Sequence, residues 1–250
     1  MSGHSRWAQI KRKKGKTDVQ RGKLFSKILR EITVAAKNGG GDTKANMRLK
    51  AAIESAKEAN MPQDNIKRAI QKGTGELPGE SYEEISYEGY APGGVAVLIQ
   101  VLTDNRHRTG PEIRHVFEKY GGNMGSSGAV AWMFERQGII QVDAGKIGED
   151  DLLGKALDAG ATDMRRSEKA FEIITAPAEM DSVREALRRV GVPVLEGQVN
   201  FVPQSTVRVE GKDATAVVRL IEALEELDDV QSIYANYDIP DEVLEAISAA

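Results

Sequence analysis

Between residues 18 and 73 apolar side chains recur every three or four positions, the spacing of one buried face on an α-helix. Leu24, Phe25, Ile28, Leu29, Ile32 and Ala36 form the first stripe, with Asp18 as a candidate N-cap and Gly39-Gly40-Gly41 as the stop. Ala45, Leu49, Ala52, Ile53 and Ala56 form a second over about 44–59. Ile66, Ala69 and Ile70 form a third, opening at Pro62, which suits a first helical turn, and closing at Gly73. Residues 20–73 therefore read as a small helical domain, and GTGELPGESYEE as the linker leaving it.

Beyond the linker the period changes to that of strands. Runs of strand character lie at 81–90, 94–103, 129–135, 138–142, 170–175, 193–202, 205–210 and 230–238, with a weak one near 161–166. Helical segments lie between them at about 110–120, 149–159, 178–190 and 212–227, with a short one after Pro240. Within 138–203 the order strand, helix, strand, strand, helix, strand is the split-βαβ, ferredoxin-like arrangement. The flanking segments can form a second α/β layer with that unit inserted between its halves. Tyr90-Ala91-Pro92-Gly93-Gly94 reads as a hairpin turn, and residues 121–128 as a helix C-cap running into a mobile loop. The fold class expected is α+β: an N-terminal three-helix domain followed by two ferredoxin-like α/β domains, one inserted in the other. The boundaries are 1–20 for a mobile basic arm, 21–78 for the helical domain, 79–135 plus 205–240 for the outer α/β domain, 136–204 for the inserted one and 241–250 for a C-terminal helix.

Charge sharpens this picture. The chain has 250 residues and a formal net charge of −4, yet residues 1–80 carry +10 and residues 81–250 carry −14. Such asymmetry points to a polyanion gripped by one end of the molecule. Residues 1–30 hold ten Lys and Arg against the single acid Asp18. Arg6, Lys11, Arg12, Lys13, Lys14 and Lys16 lie in the arm, and Lys23, Lys27 and Arg30 continue as a basic ridge opposite the first apolar stripe. Trp7 sits beside Arg6, where an exposed indole can stack on a nucleobase. Asn105-Arg106-His107-Arg108-Thr109 is a second basic turn; helix capping by Thr109 and a further phosphate contact through Arg106 and Arg108 stand equal there.

Catalytic chemistry is not legible. The chain has no cysteine, which excludes disulfides and thiol nucleophiles and fits a reducing cytoplasm. His107 and His115 are eight residues apart, His4 is remote, and no metal or cofactor is expected. Lys14-Gly15-Lys16-Thr17 lacks the first glycine of a phosphate loop, because Ile10 stands there. The adjacent acids Glu83-Glu84, Asp150-Asp151 and Asp228-Asp229 point apart or sit near helix ends. No apolar run approaches the ~20 residues of a membrane helix, and no secretory signal or membrane partner is expected.

The segments GHSRWAQIKRKKGKTDVQRGKLFSK, ANMPQDNIKRAIQKG, YEGYAPGGVAV, TDNRHRT, EIRHVFEKYGGNMG, AVAWMFERQG and LEELDDVQSIYANYDIP closely resemble the YebC family from end to end. The resemblance implies three domains, a helical one and two α/β domains, one interrupted by the other. It implies a DNA-binding transcriptional regulator with no enzymatic activity and no cofactor. Relatives that include the mitochondrial translational activators imply the alternative, a ribosome-associated factor that binds ribosomal RNA and helps translation past proline runs. The remaining classes are a protein-interaction scaffold, with a partner on the acidic α/β domains, and, last, an enzyme. No small-molecule substrate is expected.

Overall fold

The computed structural model describes residues 18–167 and 170–249. The arm, with Arg6, Trp7, Lys11, Arg12, Lys13, Lys14 and Lys16, lies outside the described residues.

The helical domain consists of α1 (Asp18–Gly39), α2 (Met47–Glu58) and α3 (Gln63–Thr74). Ile32, Ala35, Ala36, Leu49, Ala52, Ala56, Ile66 and Ala69 make its core, as the periodicity requires. The second helix starts later than its apolar pattern does, because Asn46 serves both neighbouring helices. Its Oδ1 accepts from the Leu49 amide at 3.0 Å, while its Nδ2 donates to the carbonyls of Ala35 and Gly40 at 2.7 and 2.8 Å. Gly73 lies inside the third helix and does not end it. A Cβ there would meet the Thr33 carbonyl and come within 2.7 Å of Ala36 Cβ, so this glycine lets α1 and α3 cross closely.

Strands β1 (Glu83–Ala91) and β2 (Val95–Thr103) form an antiparallel hairpin from Ala91↔Val95 to Glu83↔Thr103. Its turn needs Gly93 and Gly94, whose φ values of 75° and 76° lie in the left-handed region. Next come α4 (Arg106–Lys119) and the short β3 (Asn123–Met124), which pairs with β1. The chain then builds a separate sheet from β4 (Phe134–Asp143), α5 (Glu149–Asp158), β5 (Asp163–Arg166), β6 (Ala170–Thr175), α6 (Met180–Arg189) and β7 (Val194–Pro203). It returns through β8 (Val207–Arg208), α7 (Gly211–Glu225), β9 (Val230–Ala235), β10 (Tyr237–Asp238) and α8 (Asp241–Ala249).

The inserted sheet has the order β5-β6-β4-β7 with antiparallel neighbours, and its two helices share one core through Leu152, Ala156, Val183 and Leu187 against Ile140, Phe171 and Ile173. That is the ferredoxin-like arrangement. The outer sheet, β3-β1-β2-β9, places its strands in the same spatial order, and α4 and α7 share a core with Val97, Ile99 and Val101. Its connectivity is permuted, because the strand that comes third in the inserted unit comes first here. The residues divide into two compact units, Trp132–Ser205 and the remainder on either side of it.

Three local expectations need correction. Strand character expected at 129–135 and again at 138–142 is one strand, β4, entered from a 3-10 turn at Ala131–Met133. Gly138, inside that strand, has no room for a side chain: a Cβ there would lie 2.6 Å from Met180 Cβ, so the glycine admits α6 against the strand. The run 230–238 breaks at Asn236, whose amide donates to Ala96 O at 3.2 Å while its Oδ1 accepts from Ala96 N at 2.8 Å. The expected mobile loop at 121–128 is largely held. Asn123–Met124 joins the sheet, and the buried Glu88 carboxylate accepts from the amides of Gly128, Val130 and Ala131, each at 2.7 Å.

Candidate nucleic-acid interface

Of the ten residues expected to bind nucleic acid, three are described: Lys23, Lys27 and Arg30, all on α1. They do not form an open ridge. Lys23 Nζ lies 2.5 Å from Glu226 Oε2 and 3.2 Å from the Glu226 carbonyl. Lys27 Nζ donates to the Glu225 carbonyl at 2.8 Å, and Arg30 donates to the carbonyl of Asp228. These carbonyls belong to the C-terminal end of α7 and the turn after it. The last turn of that helix has no basic residue of its own. A helix C-terminus carries partial negative charge on carbonyls that lack intrahelical partners, and the cations of α1 supply what α7 lacks. The ridge therefore fastens the helical domain to the outer α/β layer.

The centre of this fastening is Asp229, which is 3% exposed. Its Oδ2 accepts from Thr109 Oγ1 at 2.5 Å, Arg108 NH2 at 2.7 Å and Thr103 Oγ1 at 3.0 Å. Arg30 NH1 stands 2.9 Å from Oδ1. Burial alone would raise the pKa of this carboxyl, but the donors from Thr109, Arg108 and Thr103 and the charge of Arg30 outweigh it and hold it below the usual range. Arg108 also meets Asp104 at 2.9 Å, and the two carboxylates raise its pKa further, chiefly through Asp229. A cleft of about 600 Å³ opens beside this cluster, lined by both signs of charge, including Lys23, Arg108, Glu112 and Glu226.

The basic turn at 105–109 divides between its two readings. Capping is present, but Asn105 performs it, with its side chain accepting from the amides of His107 and Arg108. Thr109 is fully buried inside α4 because its hydroxyl is directed at Asp229. Arg108 is engaged by acids, whereas Arg106 is exposed and meets no acidic side chain among the described residues. His107 and His115 are both exposed on α4. Among the described residues no group of three or more His, Cys, Asp or Glu is placed to hold a metal, and no helix is long and apolar enough to cross a membrane.

Two organising residues are not marked in the sequence. Asp229 looks like one of a pair of helix-end acids, and only the facing Thr103 and Thr109 hydroxyls reveal it. Glu88 shares its face of β1 with the exposed Glu84, Ser86 and Tyr90, so nothing local announces that three amides converge on it. Burial alone would raise its pKa; those amides more than offset that and keep it below its usual range.

Two family models match the chain: the TACO1/YebC protein N-terminal domain over residues 5–76, and the TACO1/YebC second and third domain over residues 82–237. A protein from Syntrophus aciditrophicus is 54% identical over 250 residues, covering all of both chains. One from Pelotomaculum thermopropionicum is 57% identical over 243 residues, covering 96% of this chain and 100% of the relative. Both carry the name "Probable transcriptional regulatory protein". The crystal structure of a conserved hypothetical protein from Aquifex aeolicus matches with a TM-score of 0.83 at 53% identity, covering 92% of this chain and 95% of that one. With both models matched and full-length identity above one half, the chain belongs to the TACO1/YebC family.

Proposed function

We propose that this protein is a non-enzymatic regulator that binds nucleic acid, DNA in the first reading, through the phosphate contacts of its basic arm. The observation that carries the proposal is the segregation of charge, ten Lys and Arg against one acid in residues 1–30. The engagement of Lys23, Lys27 and Arg30 within the molecule moves the weight of the proposal onto Arg6, Lys11, Arg12, Lys13, Lys14 and Lys16, with Trp7 as the stacking residue. The names of the relatives support a role in transcriptional regulation. Arg106, open at the start of α4, is the proposed secondary phosphate contact.

Removing residues 1–17 leaves α1 whole and tests the arm directly. If about five of its side chains neutralise phosphates on a duplex, log K falls against log[salt] with a slope of roughly −4.5, and affinity drops about 500-fold between 50 and 200 mM salt. The truncated chain is expected to lose most of that slope in a fluorescence-anisotropy titration. Unchanged binding after truncation refutes the proposal.

One observation favours the ribosomal alternative. The basic face of α1 is turned onto α7 and is not presented as a groove-reading helix, which suits phosphate contacts on folded RNA better than base readout in a duplex. Crosslinking in growing cells, with attached DNA and RNA sequenced separately, distinguishes the two. Ribosomal RNA without promoter DNA selects translation; the reverse selects transcription.

A further inference from the structure

A second groove, of about 380 Å³, runs between α1 and α3 on the helical domain. Arg68 and Lys72 stand one turn apart on α3 along one wall, with Asn65 one turn further toward the start of that helix. Leu29 and Ala69 give the groove an apolar floor, and Tyr82, from the segment before β1, closes one end. Arg68 and Lys72 are exposed, and neither meets an acidic side chain among the described residues. This separates them from Lys23, Arg30, Arg48 and Arg108, each of which has a carboxylate within 3 Å. The lining holds one acid, Glu80, and its carboxylate already accepts from the Tyr82 hydroxyl at 2.7 Å. The Tyr82 ring is held by Arg30, whose guanidinium carbon lies 5.6 Å from the ring centroid.

Two uncompensated cations over an apolar floor, with an aromatic ring at the end, form the combination that grips single-stranded nucleic acid: charge for the phosphate and a flat apolar surface for the base. The volume lies within the range of small-ligand sites and suits one nucleotide unit. The groove is also close to the start of α1, to which the arm is joined in sequence. Ser26, on its rim, is eight residues along α1 from Asp18, about 12 Å at the helical rise.

We propose that the α1–α3 groove is a nucleotide subsite for a single-stranded stretch of nucleic acid, its phosphate on Arg68 and Lys72 and its base against Leu29 and Tyr82. The inference rests on the nucleic-acid reading above and deepens it, by adding a fixed subsite to the contacts of the arm. An acidic peptide is the competing occupant, disfavoured because it leaves the apolar floor and ring unused.

The test uses the full chain and a dye-labelled single-stranded oligonucleotide. Variant R68E/K72E is compared with K44E/K57E, an equal charge change at exposed lysines away from the groove, after circular dichroism has shown that both retain the wild-type melting temperature. The expected result is a loss of affinity of about tenfold or more for R68E/K72E alone, with a salt slope shallower by about 0.7 for the one phosphate released. Tyr82→Leu is expected to weaken oligonucleotide binding about fivefold or more. It should leave binding of heparin, a polyanion without bases, unchanged, while Tyr82→Phe keeps wild-type affinity for both. If R68E/K72E matches its control while removal of the arm abolishes binding, the subsite is refuted and the nucleic-acid reading stands. If the wild-type chain binds no oligonucleotide, both fall. If poly-glutamate binds more tightly than the oligonucleotide and is lost in R68E/K72E, the groove belongs to an acidic protein partner and the proposal is overturned.

Discussion

A carboxylate taken out of water is stable only where donors and opposite charge replace its hydration, and Asp229 receives hydrogen bonds from two hydroxyls and the Arg108 guanidinium on one oxygen, with the Arg30 charge 2.9 Å from the other. Replacing it with asparagine keeps the shape but removes the charge that both arginines face. Because Arg108 is exposed and keeps Asp104, Asp229→Asn is expected to cost about 1–3 kcal/mol, read from the urea midpoint at neutral pH. The sign of the pH dependence follows from the depressed pKa. The stabilisation is complete above the ordinary aspartate value of about 3.9 and is lost as pH falls through the lower folded value. Glu88, depressed by its three backbone donors, adds in the same direction. Wild-type stability should therefore fall steeply below about pH 4, and the Asp229→Asn variant should fall less; equal slopes would remove Asp229 from the acid response.

Among the elements, the crossing of α1 and α3 poses a contest between propensity and space. Alanine in place of Gly73 gains about 1 kcal/mol of helix propensity. Its Cβ, however, would meet the Thr33 carbonyl and Ala36, and overpacking of this kind costs about 1–3 kcal/mol. Gly73→Ala is expected to lower the melting temperature, because the obstacle is backbone and a neighbouring helix, neither of which can swing aside. The same residue shows where sequence reading reaches its limit. The three apolar stripes placed α1, α2 and α3 because burial on one face imposes a local period. They could not say whether Gly73 stops a helix or lets one pass, since that depends on what lies across from it. The candidate site follows this division as well. That the cations of α1 share a face was legible from their spacing, but the α7 terminus that they meet is about 200 residues away along the chain and has no local signature.

At the scale of the molecule, the segment Trp132–Ser205 has its own four-stranded sheet and its own core. Expressed alone, it is expected to unfold in a single cooperative transition by circular dichroism, since domains of this size can bury enough surface to fold without help. A gradual, non-cooperative melt would show that it depends on the rest of the chain. The outer sheet has no such independence. Its strand β2 is buried at all but one position, yet its partner β9 lies more than a hundred residues downstream. During biosynthesis the nascent chain therefore completes the inner module while β2 still has an open apolar edge, a template for wrong pairing. Full closure waits for β9 and for Asp229, both of which follow the inserted module. A ribosome that stops after residue 205 thus releases a finished inner module on an unfinished, adhesive host, so premature termination between residues 205 and 229 should yield aggregates and not a shorter working protein.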